Sequence, residues 1–126
     1  MMSATEVAND AMIRGFFHAW ERRDTDHVVA SFTDDAVYHN ISLEPLVGVA
    51  AIRDFVAGRE GMPPPRCDIR RQLVSGNVVM NERVDRFVMG PKKIELPVAG
   101  VFEVHGGKIS AWRDYFDLTT FTKQMG

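Results

Sequence analysis

Apolar side chains recur at helical spacing early in the chain and at alternate positions later in it. Met12, Ile13, Phe16, Phe17 and Trp20 fall on one helical face, with Arg14, Glu21 and Arg22 interspersed. Ser3 followed by Glu6 forms a capping box ahead of them. This predicts an amphipathic helix running to about Arg23. Asp24 then caps a short second helix through Phe32, with Val28, Val29 and Phe32 inward. Thr33-Asp34-Asp35 reads as a turn, and Ala36 to Ile41 as a short strand. Gly48 precedes a third helix, Val49 to about Gly58, with Ile52, Phe55 and Val56 on one face. Gly61-Met62-Pro63-Pro64-Pro65 is a rigid break.

Beyond that break the period changes. Arg66 to Val74 and Val78 to Met89 read as strands, ended by Gly76-Asn77 and Gly90-Pro91. Lys93 to His105 is a third strand whose Ile94, Leu96, Val98, Phe102 and Val104 are apolar, while Glu95 and Glu103 mark a wet face. Gly106-Gly107 makes a hairpin turn into a fourth strand, Lys108 to Phe116. Asp117 caps a last short helix carrying Leu118 and Phe121. Helices segregated from a meander of long strands indicate an α+β fold. The expected architecture is a curved, mixed, mainly antiparallel sheet wrapped as a cone around the N-terminal helices. No repeat or linker interrupts the 126 residues, so one domain is expected.

Composition narrows the function classes. Hydrophobic residues make up 45% and charged residues 25%, a globular balance, and the formal net charge of −2 offers no basic field to nucleic acid. Arg22-Arg23 and Arg70-Arg71 are short, isolated basic pairs, read as solvated faces. Cys67 is the single cysteine, so no internal disulfide forms. That suits a reducing compartment. No signal peptide and no membrane-length apolar run is present, and a soluble, cytoplasmic protein is expected. His18, His27, His39 and His105 are scattered without metal-ligand spacing. There is no nucleophile elbow, phosphate loop or dinucleotide fingerprint, and no cofactor or metal is indicated.

Strand parity locates the chemistry. Side chains two apart share a face, so Trp112, Asp114 and Phe116 point together. A carboxylate between aromatics on a core face must be paired. Arg83 and Asp85 share a face of their own strand, with Phe87 after them. One Arg held between Asp85 and Asp114 would leave a single proton for the two carboxyls to share. Two carboxyls in environments that separate their pKa values supply one acid and one base. Opening a strained ether ring needs both. Tyr38 and Asn40 also share a face and can grip a water. Each pattern taken alone has a plain structural reading as well: an ion pair, a surface salt bridge, or polar groups satisfying local backbone.

Together these residues resemble the limonene-1,2-epoxide hydrolase family. The resemblance rests on Tyr38-His39-Asn40, Asn81-Glu82-Arg83-Val84-Asp85, Val98-Ala99-Gly100-Val101-Phe102 and Trp112-Arg113-Asp114-Tyr115-Phe116-Asp117-Leu118, in that order along nearly the whole chain. It implies a fold of the nuclear-transport-factor-2-like superfamily, which includes the SnoaL-like proteins. It implies one-step hydrolysis of an epoxide to a vicinal diol, with no covalent intermediate. By matching position, Asp85 would be the general acid, Asp114 the general base, Arg83 their bridge, and Tyr38 and Asn40 the water-positioning pair. Family members are typically homodimers, and the exposed half of the sheet is where that contact is expected.

An apolar wall of Phe87, Leu96, Val98, Phe116 and Phe121 is expected around the site. It suits a hydrophobic epoxide, with cyclic and terpenoid compounds among the candidates. The chain departs from better-known members in beginning close to the first helix, in His39, and in Leu43-Glu44-Pro45. Those departures bear on substrate size. Two rival readings share the fold. One is a ketosteroid-isomerase-like or polyketide-cyclase-like enzyme, and the other a non-catalytic module that binds a small ligand.

Overall fold

The computed structural model describes residues 1–126. Its elements in chain order are α1 (Ala4–Glu21), α2 (Thr25–Ala30), β1 (Phe32–Asn40), β2 (Leu46–Val47), α3 (Val49–Ala57), β3 (Arg66–Ser75), β4 (Val78–Met89), β5 (Lys92–His105), β6 (Lys108–Tyr115) and α4 (Leu118–Met125). The strands form one curved sheet in the order β2-β1-β6-β5-β4-β3. Only β1 and β6 run parallel; the other neighbours are antiparallel. The sheet is thus mixed and mainly antiparallel, with the helices segregated as the periodicity predicts. No helix is long and apolar enough to cross a membrane.

The caps fall where the sequence puts them. Ser3 and Glu6 close a reciprocal capping box on α1, and Asp24 and Asp117 accept backbone N–H bonds at the starts of α2 and α4. Three boundaries differ. The first helix stops at Glu21, and the second stops at Ala30, so Phe32 opens β1 instead of closing a helix. Thr33-Asp34-Asp35 belongs to β1, but the β1–β6 register jumps between Phe32 and Val37. The polar triplet bows out of the ladder there. The turn chemistry expected of it makes a bulge in a continuing strand. The short β2, which pairs with Val37 and Tyr38, has too few residues to show a period.

A second bulge matters more. The β3–β4 register slips between Ile69 and Arg71, so Arg70 is the extra residue. Because side chains alternate faces, the slip turns Leu73 outward, where it is 74% exposed. It turns Gln72 and Val74 towards the helices.

Two apolar clusters occupy the inner face. The larger is aromatic and centres on Trp112. The Tyr38 ring stacks on it at 4.1 Å, Phe102 stacks at 5.2 Å, and Phe16, Phe17 and Trp20 from α1 meet it edge-on. Each such aromatic pair contributes about 0.5–1.5 kcal/mol beyond burial. The smaller cluster joins Ile94, Leu96 and Val98 of β5 to Phe87, Phe116, Phe121 and Met125. Here α4 replaces a missing neighbour strand, since β6 pairs with β5 no further back than Ala99. The Gln124 side chain donates to the Glu95 carbonyl and accepts from the Glu95 N–H, both at 2.8 Å.

Between the clusters runs a polar row across the sheet: Asn40, Asp114, Gly100, Asn81 and Gln72 are successive cross-strand neighbours. Gly100 lacks a side chain for a reason visible in its surroundings. A Cβ there would lie 2.5 Å from Arg83 Nη1, 2.8 Å from Asp114 Oδ1 and 3.0 Å from Asn81 Oδ1. Those atoms are bonded to one another and can withdraw only by breaking those bonds. Gly100→Ala is therefore expected to destabilise the fold by about 1–3 kcal/mol. Thermal denaturation followed by circular dichroism checks this, and an unchanged Tm would mean the row has slack.

Candidate active site

Arg83 sits at the centre of the inner face with a side chain that is 0% exposed. A guanidinium carries five N–H donors, and every one of them is used. Nε donates to Asp85 Oδ1 at 3.1 Å, and Nη2 to Asp85 Oδ2 at 2.9 Å. Nη2 also donates to Asp114 Oδ2 at 2.8 Å, and Nη1 to Asp114 Oδ1 at 3.2 Å. The last Nη1 hydrogen goes to Asn81 Oδ1 at 2.9 Å. The Phe17 ring covers the guanidinium, its centroid 4.6 Å from Cζ. Two bidentate forks of this kind need the planar geometry of Arg.

The strands explain how two carboxylates reach one cation. Arg83 and Asp85 alternate inward on β4. Asp114 is on β6, with β5 between, and the guanidinium crosses β5 over Gly100. The Trp112 indole N–H donates to Asp114 Oδ1 at 2.6 Å, so the base of the aromatic cluster is tied to this carboxylate. Asp85 is the more open of the pair, with 17% of its side chain exposed against 6% for Asp114.

Burial pushes the Asp114 carboxyl above the ordinary carboxylate range, although Arg83 works against that rise. Burial also disfavours the charge on Arg83, but Asp114 and Asp85 outweigh it and hold the guanidinium firmly protonated. The Tyr38 hydroxyl is pushed up by burial and then by Asp114, so it stays a neutral donor. It accepts from Asn40 Nδ2 at 3.3 Å. In the β1–β6 register, Tyr38 neighbours Trp112 and Asn40 neighbours Asp114.

The fold therefore brings Asp85, Asp114, Arg83, Tyr38 and Asn40 to one region of the inner face. Phe87, Leu96, Val98, Phe116 and Phe121 also come together, in the smaller apolar cluster beside Asp85, and the Phe87 and Phe121 rings stack at 6.2 Å. Leu96 is the direct cross-strand neighbour of Asp85, and Val98 that of Arg83. Cys67 is the neighbour of Asp85 on the other side. Burial, and then Asp85, push its thiol up, so it carries no thiolate. The outer face of the sheet has a groove of about 420 Å³ near Arg70, Arg71 and Glu82. Arg70, Arg71 and Glu82 are exposed and paired at the surface there, while Arg83, which also lines the groove, keeps its side chain buried on the inner face.

Strand parity places Trp112 beside Asp114 but does not single out Asn81 as a partner of Arg83. Asn81 shares the inward parity of Arg83 and Asp85, which was its available signal.

The chain is similar to known proteins along nearly its whole length. Residues 7–126 match the family described as the limonene-1,2-epoxide hydrolase catalytic domain. The chain is 34% identical over 113 residues to the epoxide hydrolase EphG of Mycobacterium tuberculosis, covering 90% of this chain and 76% of that one. It is similar to the solved structure of an M. tuberculosis LEH-like epoxide hydrolase, with a TM-score of 0.88, 30% identity, and 95% and 91% of the two chains covered. A SnoaL-like polyketide cyclase structure from Shewanella putrefaciens shares the fold at a TM-score of 0.83, with 93% and 84% covered, but only 14% identity. A match over nearly the whole sequence, joined to the buried Asp–Arg–Asp cluster, means that the chain belongs to the limonene-1,2-epoxide hydrolase family and is an epoxide hydrolase.

Proposed function

We propose that this protein, acting as one domain over residues 1–126, adds water directly to a hydrophobic epoxide by concerted acid–base catalysis. The observation that carries the reading is the single buried guanidinium shared by two carboxylates. One cation and two anions leave a net charge of −1, which one shared proton neutralises. The pair then titrates as a unit. In the reactive form Asp114 is ionised and Asp85 carries the proton.

The water lies between Asp114, Asn40 and Tyr38. Asn40 accepts one of its hydrogens and Tyr38 donates to its oxygen, which leaves the second hydrogen to Asp114. A base with a raised pKa takes that proton more readily. As the water oxygen bonds to an epoxide carbon, the carbon–oxygen bond of the ring breaks. The departing oxygen takes the proton from Asp85. Asp114 then holds the proton taken from the water and Asp85 is ionised, and proton exchange restores the starting pair. Atoms balance: one water enters and one vicinal diol leaves. An isomerase or cyclase would need one carboxylate and a neutral oxyanion donor. The match to an epoxide hydrolase family supports water addition over that reading.

The cluster of Phe87, Leu96, Val98, Phe116 and Phe121 supports an apolar substrate held beside the acid. Cyclic and terpenoid epoxides fit that chemistry. The proposal extends to a cytoplasmic homodimer. Its contact would be the outer face, where Leu73, Met80 and Tyr115 are 74%, 49% and 45% exposed. Val101 lies next to Met80 in the register.

Asp114→Asn and Asp85→Asn should each lower kcat by about 10²–10⁴-fold, the usual contribution of a positioned acid or base. The double variant should lose little more than either single one, because the groups act together. Arg83→Lys should be comparably severe. Diol formation from limonene oxide, cyclohexene oxide and styrene oxide measures all three, and near-normal turnover in any single variant removes its assigned role. Single-turnover reaction in oxygen-18 water should place the label in the diol; unlabelled first-turnover diol would mean an ester intermediate on the protein.

The pH dependence follows from the direction of the Asp114 shift. The reactive pair holds one proton, so kcat/KM should fall as pH rises through a value above the ordinary 3.8 of an aspartate, where that proton is lost. It should fall again in acid, where the pair takes up a second proton. A kcat/KM that stayed level through that raised value would remove the shared proton from the mechanism. For the dimer, Met80→Glu should convert a dimeric species to a monomer in light scattering, and a monomeric wild type would end that part of the proposal.

A further inference from the structure

The fifth hydrogen of Arg83 goes to a neutral amide, and the orientation of that amide is dictated from both ends. At one end Arg83 can only donate. At the other the Asp10 carboxylate and carbonyl can only accept, and Gln72 Nε2 donates to them at 2.9 and 3.2 Å. Gln72 must then face Asn81 with its oxygen, and Asn81 Nδ2 donates to Gln72 Oε1 at 3.1 Å. That leaves Asn81 Oδ1 turned to Arg83 Nη1. The hydrogen bonds therefore run one way, from the guanidinium's neighbour back to α1, and no amide in the chain can flip without breaking two of them. The chain exists because the bulge at Arg70 turns Gln72 inward. Asn81 is 4% exposed, and Asp10 is further fixed by Arg14.

We infer that Asn81 is a positioning residue of the hydrolase reaction: held by Gln72 and Asp10, it fixes the Arg83 fork so that both carboxylates stay bidentate on it. This rests on the acid–base reading above and deepens it. A neutral acceptor suits the task. It satisfies the last buried N–H without competing, as a third carboxylate would, for the charge that Asp114 and Asp85 share. With Nη1 unheld, the fork can swing away from Asp114, whose anion it stabilises, and the Asp114 carboxyl rises further. The other groups facing that carboxyl are Asp85, the Tyr38 hydroxyl, the Trp112 indole and, beyond Asp85, Cys67.

The test compares two nearly isosteric variants, Asn81→Thr and Asn81→Val. The Thr hydroxyl can accept from Arg83 and donate to Gln72, and Val can do neither. The Trp112 indole N–H is bonded to Asp114 Oδ1, so its ¹H–¹⁵N resonance reports the titration of that carboxyl with no substrate present. In Asn81→Val the midpoint should move up by about one pH unit relative to wild type. The upper limb of kcat/KM should follow it, with kcat down about 10–100-fold and KM nearly unchanged. Asn81→Thr should restore the midpoint and most of kcat. Equal indole midpoints in the three folded proteins would overturn the inference. If the midpoint shifts as expected but the wild type hydrolyses no epoxide, the positioning stands and the reaction assigned to the site fails. Should Asn81→Val not fold, Gln72→Leu removes the acceptor that orients Asn81, and a midpoint equal to wild type would overturn the inference equally.

Discussion

A positive charge taken wholly out of water is the constraint around which this molecule is arranged. Arg83 has no exposed side-chain surface, and a buried cation survives only if its hydrogen bonds and its charge are answered in place. Removing one partner of such a cluster typically costs about 3–5 kcal/mol. That demand accounts for features that otherwise look unrelated. Two carboxylates must face inward from strands that are not neighbours. The strand between them must carry a glycine. A neutral amide must take the remaining N–H, and an aromatic ring must cover the guanidinium. What makes the cluster costly to bury also suits it to chemistry, since carboxylates held in a dry site titrate far from their behaviour in water.

Much of this was legible in one dimension. Alternation along β4 and β6 puts Arg83, Asp85, Trp112 and Asp114 on one face, and the structure has them there. The same parity groups Phe87, Leu96, Val98 and Phe116, and Phe121 joins them from the capped final helix. What stayed hidden depends on register between strands. Nothing local announces the extra residue at Arg70, yet it decides that Gln72 faces in and Leu73 faces out. Gly100 looks like an unremarkable strand glycine until Asn81 and Asp114 are seen on either side of it. The polar triplet at Thr33 to Asp35 carries honest turn signals, but pairing of β1 with both β2 and β6 keeps the strand going through it.

The two apolar clusters stand on opposite sides of the carboxylates and do different work. The aromatic one reaches Asp114 through the Trp112 indole, so the packing of α1 against the sheet is felt directly at that oxygen. The smaller one reaches Asp85 through Leu96 and is completed by α4, whose hold on β5 includes the Gln124 amide.

That division has a consequence for how such a molecule can change over time. Drift in the aromatic cluster is not free, because a repacking that left stability intact would still move the indole and with it the carboxylate it holds. Drift in the smaller cluster reshapes the surface proposed to meet the substrate, at side chains that share no hydrogen bond with the guanidinium. On the proposed mechanism, diversification is thus channelled: substitutions in α4 and the near end of β5 would change the substrate and leave the reaction unaltered.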